Sequence, residues 1–214
     1  MNLLLHSKIL NLKSEISITG SKSETNRLLL LQALFPNITL VNTSNSDDSE
    51  VMQKALASDS QLPTPNSQLI DIHHAGTAMR FLTAYFAVNE GCEVVLTGSQ
   101  RMTERPIKVL VEALQQLGAQ ISYENEEGYP PIRIKGQKIT ANKVNIPANV
   151  SSQYISALLL IAPKLQNGIE LTLVGEITSI PYIKMTLSLL NDLNIQTSFE
   201  GNVIKVHPKP AVES

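Results

Sequence analysis

Residues 20–35, "GSKSETNRLLLLQALF", place two cations, Lys22 and Arg27, among small polar residues at the head of an apolar helix. A cation in the first turn faces the positive end of the helix dipole, which costs a few tenths to about 1 kcal/mol. The pattern recurs in "AGTAMRFLTAYFAV" (75–88) and "SSQYISALLLIAP" (151–163), which also begin with small polar residues and run on as apolar helix. Three such starts define a repeat and raise the question of what they share.

Each apolar helix is followed by a more amphipathic one: "DDSEVMQKALAS", "RPIKVLVEALQQLGA" and "IPYIKMTLSLLNDLN". Between them lie short β-branched segments that read as strands: "NITLVN", "QLIDIH", "CEVVLTG", "AQISYEN", "PIRIKG", "KVNIPA", "IELTLVG", "IQTSFEG" and "NVIKVH". This order predicts an α/β lobe of three β-α-β-α-β-β units round a core of parallel helices. The first unit is short, because "SDSQLPTPNSQ" stands where the others have a strand pair. Residues 1–17 fall outside the repeat and read as two further strands. Residues 18–207 form the lobe, and 208–214 have the Pro-rich, polar composition of a linker.

The 214 residues are 43% hydrophobic, enough for one substantial core, and 4% aromatic, so that core is built from Leu, Ile, Val and Ala. A formal net charge of -2 argues against nucleic acid or an anionic membrane as the general partner. The single cysteine, Cys92, excludes an internal disulfide and reads as a buried thiol in a strand. The start "MNLLLHSKIL" is too short and polar for a signal peptide, and the expected location is cytoplasmic.

The helix starts gather Lys22, Ser23 and Arg27; Gly76, Thr77 and Arg80; and Ser151, Ser152 and Gln153. Unpaired N–H groups and a partial positive charge make such ends natural sites for phosphate or carboxylate. Ser23 with Arg27, and Gly76 with Arg80, are four apart and share a helix face. With an anion present, the misplaced cations become charge-assisted donors. Arg101 and Arg105 in "LTGSQRMTERPI" add to the basic groups, with Pro106 expected in the first turn of the next helix. Ser179, Tyr182 and Lys184 in "SIPYIK" complete the third unit.

Simpler roles compete: Thr77, Ser151 and Ser152 as N-caps, Asp47 and Asp48 as first-turn acids of a capped helix. His73 and His74, read on a strand, point to opposite faces, and no metal or cofactor motif accompanies them. These patterns lead to a binder of small polyanions and no further.

The segments "GSKSETNR", "AGTAMRFL", "LTGSQRMTERPI", "YPPIRIKG", "VSSQYISALLL" and "SIPYIKMTL", in this order, resemble the 5-enolpyruvylshikimate-3-phosphate synthase family, the 3-phosphoshikimate 1-carboxyvinyltransferases. The likeness runs from about Gly20 to Tyr182. It implies an inside-out α/β barrel lobe, one of two, and transfer of the enolpyruvyl group of phosphoenolpyruvate to the 5-hydroxyl of shikimate 3-phosphate without a cofactor. It implies that Lys22, Gly76, Arg101 and Gln153 contact phosphoenolpyruvate and that Lys22 also takes part in proton transfer. Shikimate 3-phosphate would be held by Ser23, Arg27, Ser151, Ser152, Gln153, Ser179 and Tyr182. It further implies that the strands at 1–17 belong to a missing C-terminal lobe and that this lobe alone binds substrate without turnover.

His74, Phe81, Ser99 and Gln100 depart from the family pattern near the phosphoenolpyruvate end, where the inhibitor glyphosate would act. The alternative is the sister transferase acting on UDP-N-acetylglucosamine. It carries Lys-Asn where Lys22-Ser23 stands here, and it often has a reactive loop cysteine unlike Cys92.

Overall fold

All three apolar runs fold as helices and form the interior of the molecule. The computed structural model describes residues 17–59 and 67–209. α1 (Lys22–Leu34) and α2 (Asp47–Asp59) come first, then β1 (Gln68–Asp71) and α3 (Gly76–Ala87). The middle of the chain holds β2 (Glu93–Thr97), the short α4 (Gln100–Thr103), α5 (Lys108–Gln116), β3 (Gln120–Tyr123) and β4 (Ile132–Lys135). β5 (Lys143–Pro147), α6 (Ser152–Ile161), β6 (Ile169–Val174), α7 (Ile180–Asp192), β7 (Thr197–Glu200) and β8 (Val203–Val206) follow.

Two sheets share one topology, β1-β2-β4-β3 and β5-β6-β8-β7. In each the first pair is parallel and the other pairs are antiparallel. A parallel pair needs a crossover, and the two apolar helices α3 and α6 supply it. Every residue of α3 from Gly76 to Ala87 is buried, as is α6 from Tyr154 to Ile161, so both are core helices rather than one-sided surface ones. α5 buries only one stripe, Leu110, Val111, Ala113 and Leu114. Leu30, Leu31, Phe81, Phe86 and Leu158 are wholly inaccessible, each contributing about 1.5–3 kcal/mol of apolar burial. Cys92 is buried among them, its thiol donating to Phe86 O at 3.3 Å.

The β-α-β-α-β-β unit is thus formed twice. The first unit differs from expectation: it contributes α1 and α2, but "NITLVN" (37–42) forms no strand. It has no partner strand among the described residues, Val41 is 87% exposed, and Asn42 adopts φ 54, which breaks an extended run. Two other readings are corrected. His73 and His74 follow β1 in a turn rather than lying on it, with His73 at φ 50. Pro106 precedes the N-cap of α5, Ile107, instead of entering the helix, and Arg101 belongs to the short α4. The strands expected at 1–17 fall almost wholly outside the described residues, as does the end of the tail. Lys209, assigned to the linker, packs on the lobe: its N–H donates to Pro163 O at 2.9 Å and its ammonium lies 4.6 Å from the Phe35 ring centre.

The open edge of β5 is closed by a side chain. Gln116 Nε2 donates to Asn145 O at 3.2 Å, and Gln116 Oε1 accepts from Asn145 N–H at 3.0 Å, standing in for a neighbouring strand. No helix among the described residues is long and apolar enough to cross a membrane.

Candidate functional site

The starts of α1, α2, α3 and α6 converge. Lys22, Asp47, Asp48, Gly76, Thr77 and Gln153 line one hollow of about 400 Å³, together with Ser46, His74 and Arg105. A second hollow of about 720 Å³ is lined by His74, Ser99, Arg101, Met102 and Arg105, so the two share His74 and Arg105.

Local chemistry explains how each start opens onto this space. Ser21 caps α1, its Oγ accepting from the Glu24 N–H at 3.5 Å, which leaves Lys22 as the first helical residue. Lys22 Nζ meets Asp48 Oδ2 of α2 at 3.2 Å. Ser151 caps α6 by accepting from the Gln153 N–H at 3.3 Å. The cap residue of α3 is Ala75, so no side chain covers its N–H groups. Thr77 is therefore not a cap: its hydroxyl accepts from Gln153 Nε2 at 3.1 Å and ties the starts of α3 and α6 together. Ser99 Oγ, on the wall of the second hollow, is buried without a partner among the described residues.

Arg27 sits beneath the surface rather than in either hollow. It is 3% exposed, and its Nε donates to Thr186 Oγ1 at 2.8 Å, Nη1 to Ser23 O at 2.7 Å and Nη2 to Ser156 Oγ at 2.8 Å. Its guanidinium lies 5.5 Å from the Phe81 ring centre and 6.0 Å from that of Tyr182. Burial pulls its pKa down to about 10. Arg80 repeats the arrangement, with Nη1 donating to Gly76 O at 3.0 Å and Nη2 to Pro106 O at 3.1 Å; burial lowers its pKa as well. The four-residue spacing noted in the sequence is real in both cases, but the bonds run to backbone carbonyls.

The residues implied for phosphoenolpyruvate, Lys22, Gly76, Arg101 and Gln153, are thus brought to two adjoining hollows. Those implied for shikimate 3-phosphate gather differently. Ser23, Arg27 and Tyr182 meet where the early turns of α1, α6 and α7 join, and Ser156 and Thr186, 3.0 Å apart, complete that junction. Ser151 and Ser152 stand at the start of α6 and Ser179 at the start of α7; none of the three lines the two hollows. Sequence reasoning gave Asp48 only a structural part, and it left Arg105 without a defined one. Nothing in the chain order shows that Arg105 ends up beside Gly76.

Fold and site together define a class: an α/β lobe that turns the amino ends of its inner helices onto adjoining hollows lined by Lys22, Arg101 and Arg105. Solved structures agree on the fold. The chain is similar to EPSP synthase from Acinetobacter baumannii with a TM-score of 0.72 at 20% identity, covering 91% of this chain and 47% of that one. The family model EPSP synthase (3-phosphoshikimate 1-carboxyvinyltransferase) matches residues 39–214, and the chain belongs to that family. Relatives named 3-phosphoshikimate 1-carboxyvinyltransferase include one from Bacteroides fragilis, 47% identical over 201 residues, covering 93% of this chain and 47% of the relative. Another, from Psychromonas ingrahamii, is 41% identical over 230 residues, covering 96% of this chain and 54% of the relative. The chain spans about half the length of these relatives.

Proposed function

We propose that this lobe binds shikimate 3-phosphate and phosphoenolpyruvate for transfer of the enolpyruvyl group to the 5-hydroxyl, with release of phosphate. The observation that carries the reading is the shared hollow, where four helix starts meet Lys22, Gln153 and Arg105 in a chain of this family. Lys22, Gly76, Arg101 and Gln153 take the phosphoenolpyruvate side, and Lys22 is the candidate for proton transfer. Ser23, Ser151, Ser152, Gln153, Ser179 and Tyr182 take shikimate 3-phosphate, with Arg27 holding Ser23 and the α6–α7 junction from below. Cations fixed round both anions supply proximity and stabilise charge on the departing phosphate. The reaction itself draws on a second lobe facing this surface, and this lobe alone binds without turnover. Glyphosate would compete at the phosphoenolpyruvate side, with His74, Phe81, Ser99 and Gln100 setting its fit.

Titration calorimetry of residues 1–214 with shikimate 3-phosphate at millimolar concentration tests the binding, and phosphate release from the two substrates together tests the absence of turnover. Heat of binding without phosphate release is expected. A folded sample that binds neither substrate removes the proposal.

A further inference from the structure

Two successive residues of α3, Arg80 and Phe81, each form a cation–ring pair with a different helix. The Arg80 guanidinium lies 5.7 Å from the ring centre of Tyr154 on α6. The Phe81 ring centre lies 5.5 Å from the guanidinium of Arg27 on α1. Both arginines are buried, and neither has an ion pair among the described residues. A buried cation without a carboxylate is costly, and an aromatic face within about 6 Å offsets part of that cost in an apolar interior.

For Arg27 the consequences reach the surface. Phe81 is wholly inaccessible and meets the guanidinium from the core, while Tyr182, about half exposed, lies 6.0 Å from it. The same guanidinium donates to Ser23 O at 2.7 Å. Its Nε donates to Thr186 Oγ1, which in turn donates to Tyr182 O at 2.9 Å. Its Nη2 donates to Ser156 Oγ, 3.0 Å from the Thr186 hydroxyl. Ser23 and Tyr182, two of the contacts proposed for shikimate 3-phosphate, therefore depend on one cation. Its hydrogen-bond partners belong to α1, α6 and α7, so the Phe81 ring is what α3 contributes to its position.

We infer that Phe81 is a positioning residue for the shikimate 3-phosphate end of the site: its ring seats the Arg27 guanidinium, which in turn places Ser23 and Tyr182. The inference rests on the proposed binding of that substrate, and the experiment separates the two. Binding of shikimate 3-phosphate to residues 1–214 is measured by calorimetry for the unsubstituted chain, Phe81→Leu, Arg27→Met and the Phe81→Leu/Arg27→Met pair. Thermal melts confirm that each variant is folded at the assay temperature. Phe81→Leu keeps an apolar side chain but removes the ring face, and should weaken binding about 3- to 10-fold. Beside Arg27→Met it should change binding less than about 2-fold, since the ring then has no cation to seat. A second readout is the Arg27 Nε–H signal in the NMR spectrum of the isotope-labelled chain, assigned by its loss in Arg27→Met. It should be protected from exchange and shielded by ring currents, and should move downfield in Phe81→Leu. An unshielded Arg27 signal in the unsubstituted chain overturns the inference even if Phe81→Leu fails to fold. Undiminished binding by Phe81→Leu, or an equal loss in both Arg27 backgrounds, overturns it while leaving the proposed function standing. No binding of shikimate 3-phosphate by the unsubstituted chain overturns both.

Discussion

Four of the five arginines fall into two pairs beside helix starts, and only one pair faces solvent. The fifth, Arg133, lies on β4 in ion pairs with Glu93 and Glu124. Arg27 and Arg80 are 3% and 4% exposed and donate to carbonyls and hydroxyls that bind helices to one another. Arg101 and Arg105 are exposed, line the hollows and have no acidic partner among the described residues. All four lie in or beside helix starts, so position in the sequence does not separate them. What separates them is where the donors go. A buried guanidinium with its N–H groups engaged is architecture, whereas an exposed one without a counter-charge is capacity to bind.

The sharpest way to break this comparison is to truncate one arginine from each pair. Arg27→Ala leaves the hydroxyls of Ser156 and Thr186 and the Ser23 carbonyl without their donor in the interior. Loss of bonds to a charged group predicts destabilisation of about 3 kcal/mol, a fall in Tm of roughly 6–12 °C for a chain of this size. Arg27→Met should be milder, because an apolar residue refills the space and removes a buried charge. The folded pKa of Arg27, about 10, lies below its ordinary value, so the unfolded chain holds this proton more tightly. Its burial therefore opposes folding by a constant amount below pH 10, and stability from this group rises only above that. A melt of Arg27→Ala that matches the unsubstituted chain would erase the distinction between the pairs.

Arg101→Ala is the counterpart. Melting should be unchanged to within about 0.5 kcal/mol, while phosphoenolpyruvate binding falls about 10- to 100-fold by calorimetry. Asp48→Asn sharpens the same point in the opposite direction. Asp48 holds Lys22 at 3.2 Å across the hollow and adds a negative charge beside the expected anion. Its neutralisation should tighten phosphate binding about 3-fold at low salt and less at high salt. Weaker binding would mean instead that Asp48 is needed to aim Lys22.

These distinctions mark what the sequence could reveal. The period of the apolar residues placed α1, α3 and α6, and β-branched runs placed all eight described strands, because both signals are local. The repeat predicted two complete units correctly, since each closes its own sheet. "NITLVN" looked equally strand-like and failed for a non-local reason: nothing pairs with it among the described residues. The site was legible to the same degree. Lys22, Gly76 and Gln153 announce themselves at helix starts, but the contact of Arg105 with Gly76 and the burial of Arg27 arise only when distant segments pack.

The smallest expected effect lies where neither pair reaches, on the sheets, and serves as the control. Glu170 of β6 lies between Lys143 of β5 at 3.3 Å and Lys205 of β8 at 3.1 Å, each opposite it in register. Glu93 of β2 faces Lys135 of β4 in the same way, so the two sheets repeat the device. Hydrogen bonds from Lys205 and then Lys143 hold the Glu170 carboxyl below its ordinary pKa. A carboxylate depressed in the folded state stabilises the fold above its unfolded pKa and loses that contribution as pH falls through the folded one. Glu170→Gln should therefore lower the urea midpoint slightly at pH 7, and the gap from the unsubstituted chain should close by pH 3. Phosphate binding should be untouched at either pH where the fold persists, since the ladder lies outside both hollows. If Glu170→Gln altered binding as much as Arg101→Ala, surface charge at large rather than the converged helix starts would govern the anion, and the contrast between the arginine pairs would lose its meaning.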